Sequence, residues 1–228
     1  MKLIKIQMVM AVLLLAGSLV KAQNKHDYVD LGLPSGTLWA TCNVGATTPE
    51  ACGDYFAWGE TRPKTDTYQF EKGFRTFTKY CSVAYLGYDG YTDKLTVLQP
   101  EDDAATALWG SDWRMPTKAE WMELMQHTSQ QWITRNGVNG HLFTASNGQS
   151  LFLPATGYME DEVYFDGVNA GYWSSSLYTG QPSHAWLFFF IGEDHGSLRY
   201  DDRSDRQFKI YVNSRSDGHS VRPVRATR

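Results

Sequence analysis

The sequence predicts an α+β fold, with two short helices packed on a small twisted antiparallel sheet and long loops. Three observations carry this. Aromatic residues make up 14% of the 228-residue chain and glycines number 20, while long helical patterns are few. That mix favours short strands and elaborate loops over a bundle. The stretch from Trp109 to Leu124 carries the start signals of a helix. From Gln130 onward, short apolar runs alternate with turn residues, so helices are followed by a meander of strands.

Met1 to Ala22 reads as a signal peptide. Lys2 and Lys5 form a charged start, Met8 to Ala16 is the apolar run, and Val20-Lys21-Ala22 offers a cleavage site. The run is too short to span a bilayer, and the nearest cysteine, Cys42, is too far from the cleavage point for lipid attachment. Residues 23–228 are expected to form one exported domain of about 206 residues, with no transmembrane segment. Its place is the periplasm, the outer cell surface or the medium. Loss of three lysines with the signal takes the formal charge from −4 to −7, a poor match for nucleic acid or anionic lipid. Export permits a disulfide. With Cys42, Cys52 and Cys81 all three pairings stay open, and the odd count leaves at least one thiol over. No cysteine sits in a catalytic signature.

Along the chain, Tyr28 to Leu31 and Thr37 to Thr41 read as strands around the turn Leu33-Pro34-Ser35-Gly36. Tyr55 to Trp58 is a strand or buried loop ending at Gly59. Residues 60–95 have no sustained period and read as a long loop region. Pro100 to Ala105 opens a first helix, with Glu101, Asp102 and Asp103 suited to its positive end; it stops at Gly110. Those acids could instead hold Ca²⁺, but capping uses the same residues without an ion. Thr117 and Glu120 form a capping box for a second helix of about ten residues, with Trp121, Leu124 and Met125 on its apolar face. Trp109, Trp113 and Trp121 then seed a core. Asn136-Gly137 and Asn139-Gly140 read as two turns, and Asn147-Gly148 as a hairpin turn between His141–Ala145 and Ser150–Leu153. Further strands are expected at 171–176, 185–191, 197–200, 208–212 and 219–225, the last irregular at Pro223. Pro154 to Asp166 reads as an acidic, aromatic loop.

Several of these pieces together resemble one family. They are Tyr28 to Ala46, Gly53 to Glu60, Leu98 to Ala105, Trp113 to Trp121, Leu153 to Tyr158, Tyr172 to Ser176 and Ser220-Val221-Arg222-Pro223-Val224. The pattern is similar to the Fibrobacter succinogenes major paralogous domain group of exported proteins, common in gut Bacteroidetes. The resemblance covers almost the whole mature chain. It implies a C-type-lectin-like fold in its formylglycine-generating-enzyme-like form, with paired chain ends. It also narrows function. The Glu-Pro-Asn, Gln-Pro-Asp and Trp-Asn-Asp motifs of Ca²⁺-dependent sugar-binding lectins are missing. The C-terminal cysteine pair of the formylglycine-generating oxidases is missing too, since every cysteine precedes residue 82. In related folds served by diversity-generating retroelements, the C-terminal segment carries variable binding residues ahead of an end similar to Gly218–Val224.

On that footing the segment from about 186 to 217 is expected to present one ligand-binding face. Its candidates are Trp186, Phe188, Glu193, Asp194, His195, Arg199, Tyr200, Asp202, Arg203, Asp205, Arg206 and Tyr211. Aromatic rings and Arg carry much of interface energy, at ~2 kcal/mol or more for a hot spot. Strand parity opposes Ala185, Leu187 and Phe189 to Trp186, Phe188 and Phe190. The plainer reading puts Trp186 and Phe188 in the core. Arg114 and Arg222 lie among aromatics and read as structural. The expectation is an exported, non-enzymatic, adhesin-like domain that recognises a glycan or a surface protein. No catalytic residue, metal site or cofactor is assigned. The alternatives are a glycan-acting hydrolase working through the acidic loops, or a structural envelope or fimbria-associated domain.

Overall fold

The computed structural model describes residues 26–65, 77–192 and 208–227. Its centre is a five-stranded sheet in the order β11-β10-β9-β12-β3. These strands are Phe208–Ser214, His184–Ile191, Asn169–Leu177, His219–Ser220 and Tyr55–Phe56. β9, β10 and β11 form an antiparallel meander, while β12 returns parallel to β9. A second sheet, β4-β5-β6, is built from Thr128–Arg135, Val138–Ala145 and Ser150–Pro154. A third joins the chain ends: β2 (Leu38–Ala40) lies between β1 (Tyr28–Asp30) and β13 (Val224–Arg225). Among the described residues, no helix is long and apolar enough to cross a membrane.

Strands β9 and β10 at the middle of the central sheet are buried on both faces, and residue parity sorts their side chains into two cores. Tyr172, Phe188 and Phe190 face a core completed by Trp39, Trp121, Leu124, Phe143 and Leu153. Trp173, Ala185 and Leu187 face the other, with Trp58, Ala104, Ala105 and Val221. This is why the run from Ala185 to Ile191 is continuously apolar rather than alternating.

The second helix, α2, spans Lys118–His127 and carries the capping box in full. Thr117 Oγ1 accepts from the Glu120 amide at 3.2 Å, and Glu120 Oε2 accepts from the Thr117 amide at 2.8 Å. Trp121 stacks on Phe188 with ring centres 4.8 Å apart and meets Trp39 at 4.7 Å. Its indole N–H reaches the Trp173 carbonyl at 3.2 Å. The helix therefore pins the chain-end sheet and the central sheet to one point.

Three expectations shift. Pro100–Asp102 forms a 3-10 turn, and α1 proper is Ala104–Trp109. Asp103 is its N-cap, with Oδ1 accepting from the Thr106 amide and Oδ2 from the Met115 amide. Glu101 and Asp102 instead pair with Lys79 Nζ at 2.8 and 2.9 Å. The capping reading holds for Asp103, the last of the three acids, and not for Glu101 or Asp102. Asn139-Gly140 is no turn but part of β5, because Asn136-Gly137 already closes the β4–β5 hairpin. A Cβ on Gly140 would sit 2.3 Å from the Leu153 carbonyl, so this glycine serves a close strand approach. The 154–166 loop also contains a small hairpin, β7 (Tyr158–Met159) with β8 (Val163–Tyr164). The strand expected at 197–200 lies outside the described residues.

Candidate functional site

The register of β10 on β11 decides which candidates share a face. Trp186 pairs with Val212, Leu187 with Tyr211 and Phe188 with Ile210. Partners across an antiparallel pair point to the same side. Trp186 and Phe188 therefore stand on the α2 side, and Tyr211 on the opposite one, with Leu187. The expectation of a single face holding all three is corrected by this geometry. Phe188 is fully buried between Trp121, Phe143 and Phe208 and touches no solvent. Trp186 is half-buried: Lys118 Nζ caps its ring at 3.4 Å and Tyr178 meets it edge-on at 5.1 Å. Glu193, Asp194, His195, Arg199, Tyr200, Asp202, Arg203, Asp205 and Arg206 lie outside the described residues.

The face that Tyr211 occupies is assembled by glycine. Phe189 sits opposite Gly171 on β9, and the space above Gly171 is filled by His219; a Cβ there would meet His219 Nδ1 at 2.3 Å. His219 is held by Asn213 at 3.0 Å and lies edge-on to Trp173 at 4.6 Å. Its burial pushes it down to about 3, so it is a neutral ring. Tyr158 lies 6.0 Å from His219 and stacks on Tyr164 at 5.7 Å and Phe165 at 6.0 Å. Ring contacts thus run from the β7–β8 hairpin to His219, which Asn213 ties to β11, where Tyr211 stands two residues away beside Phe189. Tyr211 is 42% exposed and Phe165 40%. Sequence reasoning named Tyr211 and missed Phe189, Asn213, His219 and the β7–β8 rings. A signal was present in Gly171, an uncommon residue inside an apolar strand.

Acids border this line. Asp217 is pushed up to about 6, first by burial and then by the charge of Glu160, against a weaker Ser216 hydrogen bond. Asp161 stays low because Tyr164 donates to it at 2.8 Å. Among the described residues, no group of three or more His, Cys, Asp or Glu side chains is arranged to hold a metal ion. The three cysteines are free thiols, and Cys52 is pushed up to about 11 by burial and by Asp166, which makes it a poor nucleophile.

A cavity of about 290 Å³ opens elsewhere, between the starts of the two helices, lined by residues that include Leu98, Asp103, Trp113, Arg114 and Thr117. Its polar groups are engaged with one another. Arg114 forks onto Glu120 at 2.6 and 2.7 Å, and Asp103 serves two amides. Arg222, as read from sequence, is structural: fully buried, it donates to Asn43 Oδ1 and to the Ala40 and Thr41 carbonyls.

No protein-family model matches the chain, and neither does any curated protein or solved structure. What the fold defines is a class: an α+β protein, predominantly of β-sheet, with two short α-helices among the described residues and a half-open aromatic sheet face at β10 and β11.

Proposed function

We propose that this is an exported, non-enzymatic recognition protein on a C-type-lectin-like scaffold, binding a glycan or a surface protein through its C-terminal hairpin. The observation that carries the reading is Tyr211. It stands exposed on an internally supported sheet face beside Phe189, with rings continuing to Phe165. A rigid strand supplies what recognition needs, aromatic area that loses little freedom on binding. Residues 193–207 join β10 to β11 and carry most of the remaining candidates, so they belong to the same proposal. The test is a glycan-array and protein-array screen of residues 23–228, repeated with Tyr211→Ala and Tyr200→Ala. Retained binding in both variants removes this face from the account.

A glycan-acting hydrolase is the second reading, favoured by Asp217. A carboxyl held at about 6 beside a second carboxylate matches the acid partner such enzymes use. Turnover on a polysaccharide panel, lost in Asp217→Asn or Asp202→Asn, would replace the first reading with this one.

A further inference from the structure

The most exposed large apolar side chains among the described residues are not on the C-terminal hairpin. They are Tyr85 at 70% and Tyr88 at 63%, with Tyr91 at 38% on the same loop. We propose that this loop, residues 81–93, is a second binding surface, for a neutral glycan chain whose sugar rings stack on Tyr85 and Tyr88. It stands apart from the C-terminal face and does not depend on it.

The loop is built to hold those rings out. Leu86 and Cys81 plug it into a small core with Phe77. Phe77 bridges Gly87, and the Tyr88 amide donates to the Phe77 carbonyl at 3.0 Å. Successive tight turns follow: Leu86 to Val83, Gly87 to Ala84, Gly90 to Gly87 and Tyr91 to Tyr88. Gly87 is required, since a Cβ there would lie 1.8 Å from the Tyr91 carbonyl. Asp93 closes the base with one carboxylate. It accepts from the Tyr80, Cys81 and Leu95 amides and from the Tyr91 hydroxyl. Tyr91 serves this bonding, but a loop so fully bonded does not need Tyr85 and Tyr88 exposed for its own stability. Exposed rings held by a pre-ordered backbone are what low-cost recognition requires.

Charge selects the ligand. Residues 84–92 carry a single charged side chain, Asp89, and the whole chain is acidic at −4. An anionic polysaccharide is repelled, and one carboxylate is too little to select a cationic partner. Hydroxyl-bearing rings with Asp89 as the one charged side chain among residues 84–92 suit a neutral polyol, whose C–H faces pack on the electron-rich ring faces while its hydroxyls stay in water.

The experiment is affinity electrophoresis of the mature chain through gels containing soluble mixed-linkage β-glucan, galactomannan or xylan, with polygalacturonate as the anionic counterpart. Retardation is expected in at least one neutral gel and not in polygalacturonate. The Y85A/Y88A double variant should melt at an unchanged temperature and lose affinity about tenfold or more, a typical loss for hot-spot rings. Absence of retardation in every neutral gel overturns the inference, as does retardation in polygalacturonate alone. Retardation abolished by Y211A but intact in Y85A/Y88A also overturns it, and leaves the C-terminal face standing.

Discussion

His141 and His219 are both enclosed without charge, and that sets how the protein responds to acid. His141 is ringed by Trp132, Phe143, Phe190 and Phe208, and burial there pushes it down to about 4; His219 is pushed down to about 3. In the unfolded chain each titrates near 6.5. Below that pH the unfolded state takes up protons that the folded state refuses, so stability falls as pH drops toward 4. Each ring contributes a slope of up to ~1.4 kcal/mol per pH unit. His141→Phe keeps the aromatic enclosure and removes one of these protons. Its urea midpoint, followed from pH 7 to 4, should fall less steeply than that of the wild type. A second contrast separates core from face. Phe188→Ala should destabilise by about 3–5 kcal/mol, and Tyr211→Ala by no more than ~0.5 kcal/mol, read by chemical denaturation. The sequence listed both residues as candidates. Parity told that 187 and 188 point apart, but with both faces of β10 apolar it could not tell which side was closed.

At the scale of elements, α2 was the most legible, because its cap and its apolar stripe are both local. Thr117→Ala removes the hydroxyl that receives the Glu120 amide and should lower stability by ~1 kcal/mol in thermal unfolding. The start of α1 was less legible, since three consecutive acids offer three possible caps and only packing against the Met115 amide selects Asp103. The pair Asn136-Gly137 and Asn139-Gly140 shows the same limit. Two equal turn signals lie three residues apart, and strand pairing across β4 and β5 chooses the first. The aromatic line beside Tyr211 was illegible for a related reason. Tyr158, His219 and Gly171 come from distant parts of the chain and meet only through sheet order.

At the scale of the whole molecule, long-range closure dominates. Val224 pairs with Trp39, Ser220 with Tyr55, and Arg222 spans to Ala40, Thr41 and Asn43. A chain truncated after Gly218 loses all three links and exposes the chain-end and central cores together. It should show no cooperative thermal transition by circular dichroism, whereas the full chain should show one. The closing strand also fixes an order in time. Trp39 and Tyr55 are made more than 160 residues before Ser220 and Val224, the residues that complete their sheets. Until then the interior between the sheets is unfinished, and Trp39 and Tyr55 lack the C-terminal strands they lock against.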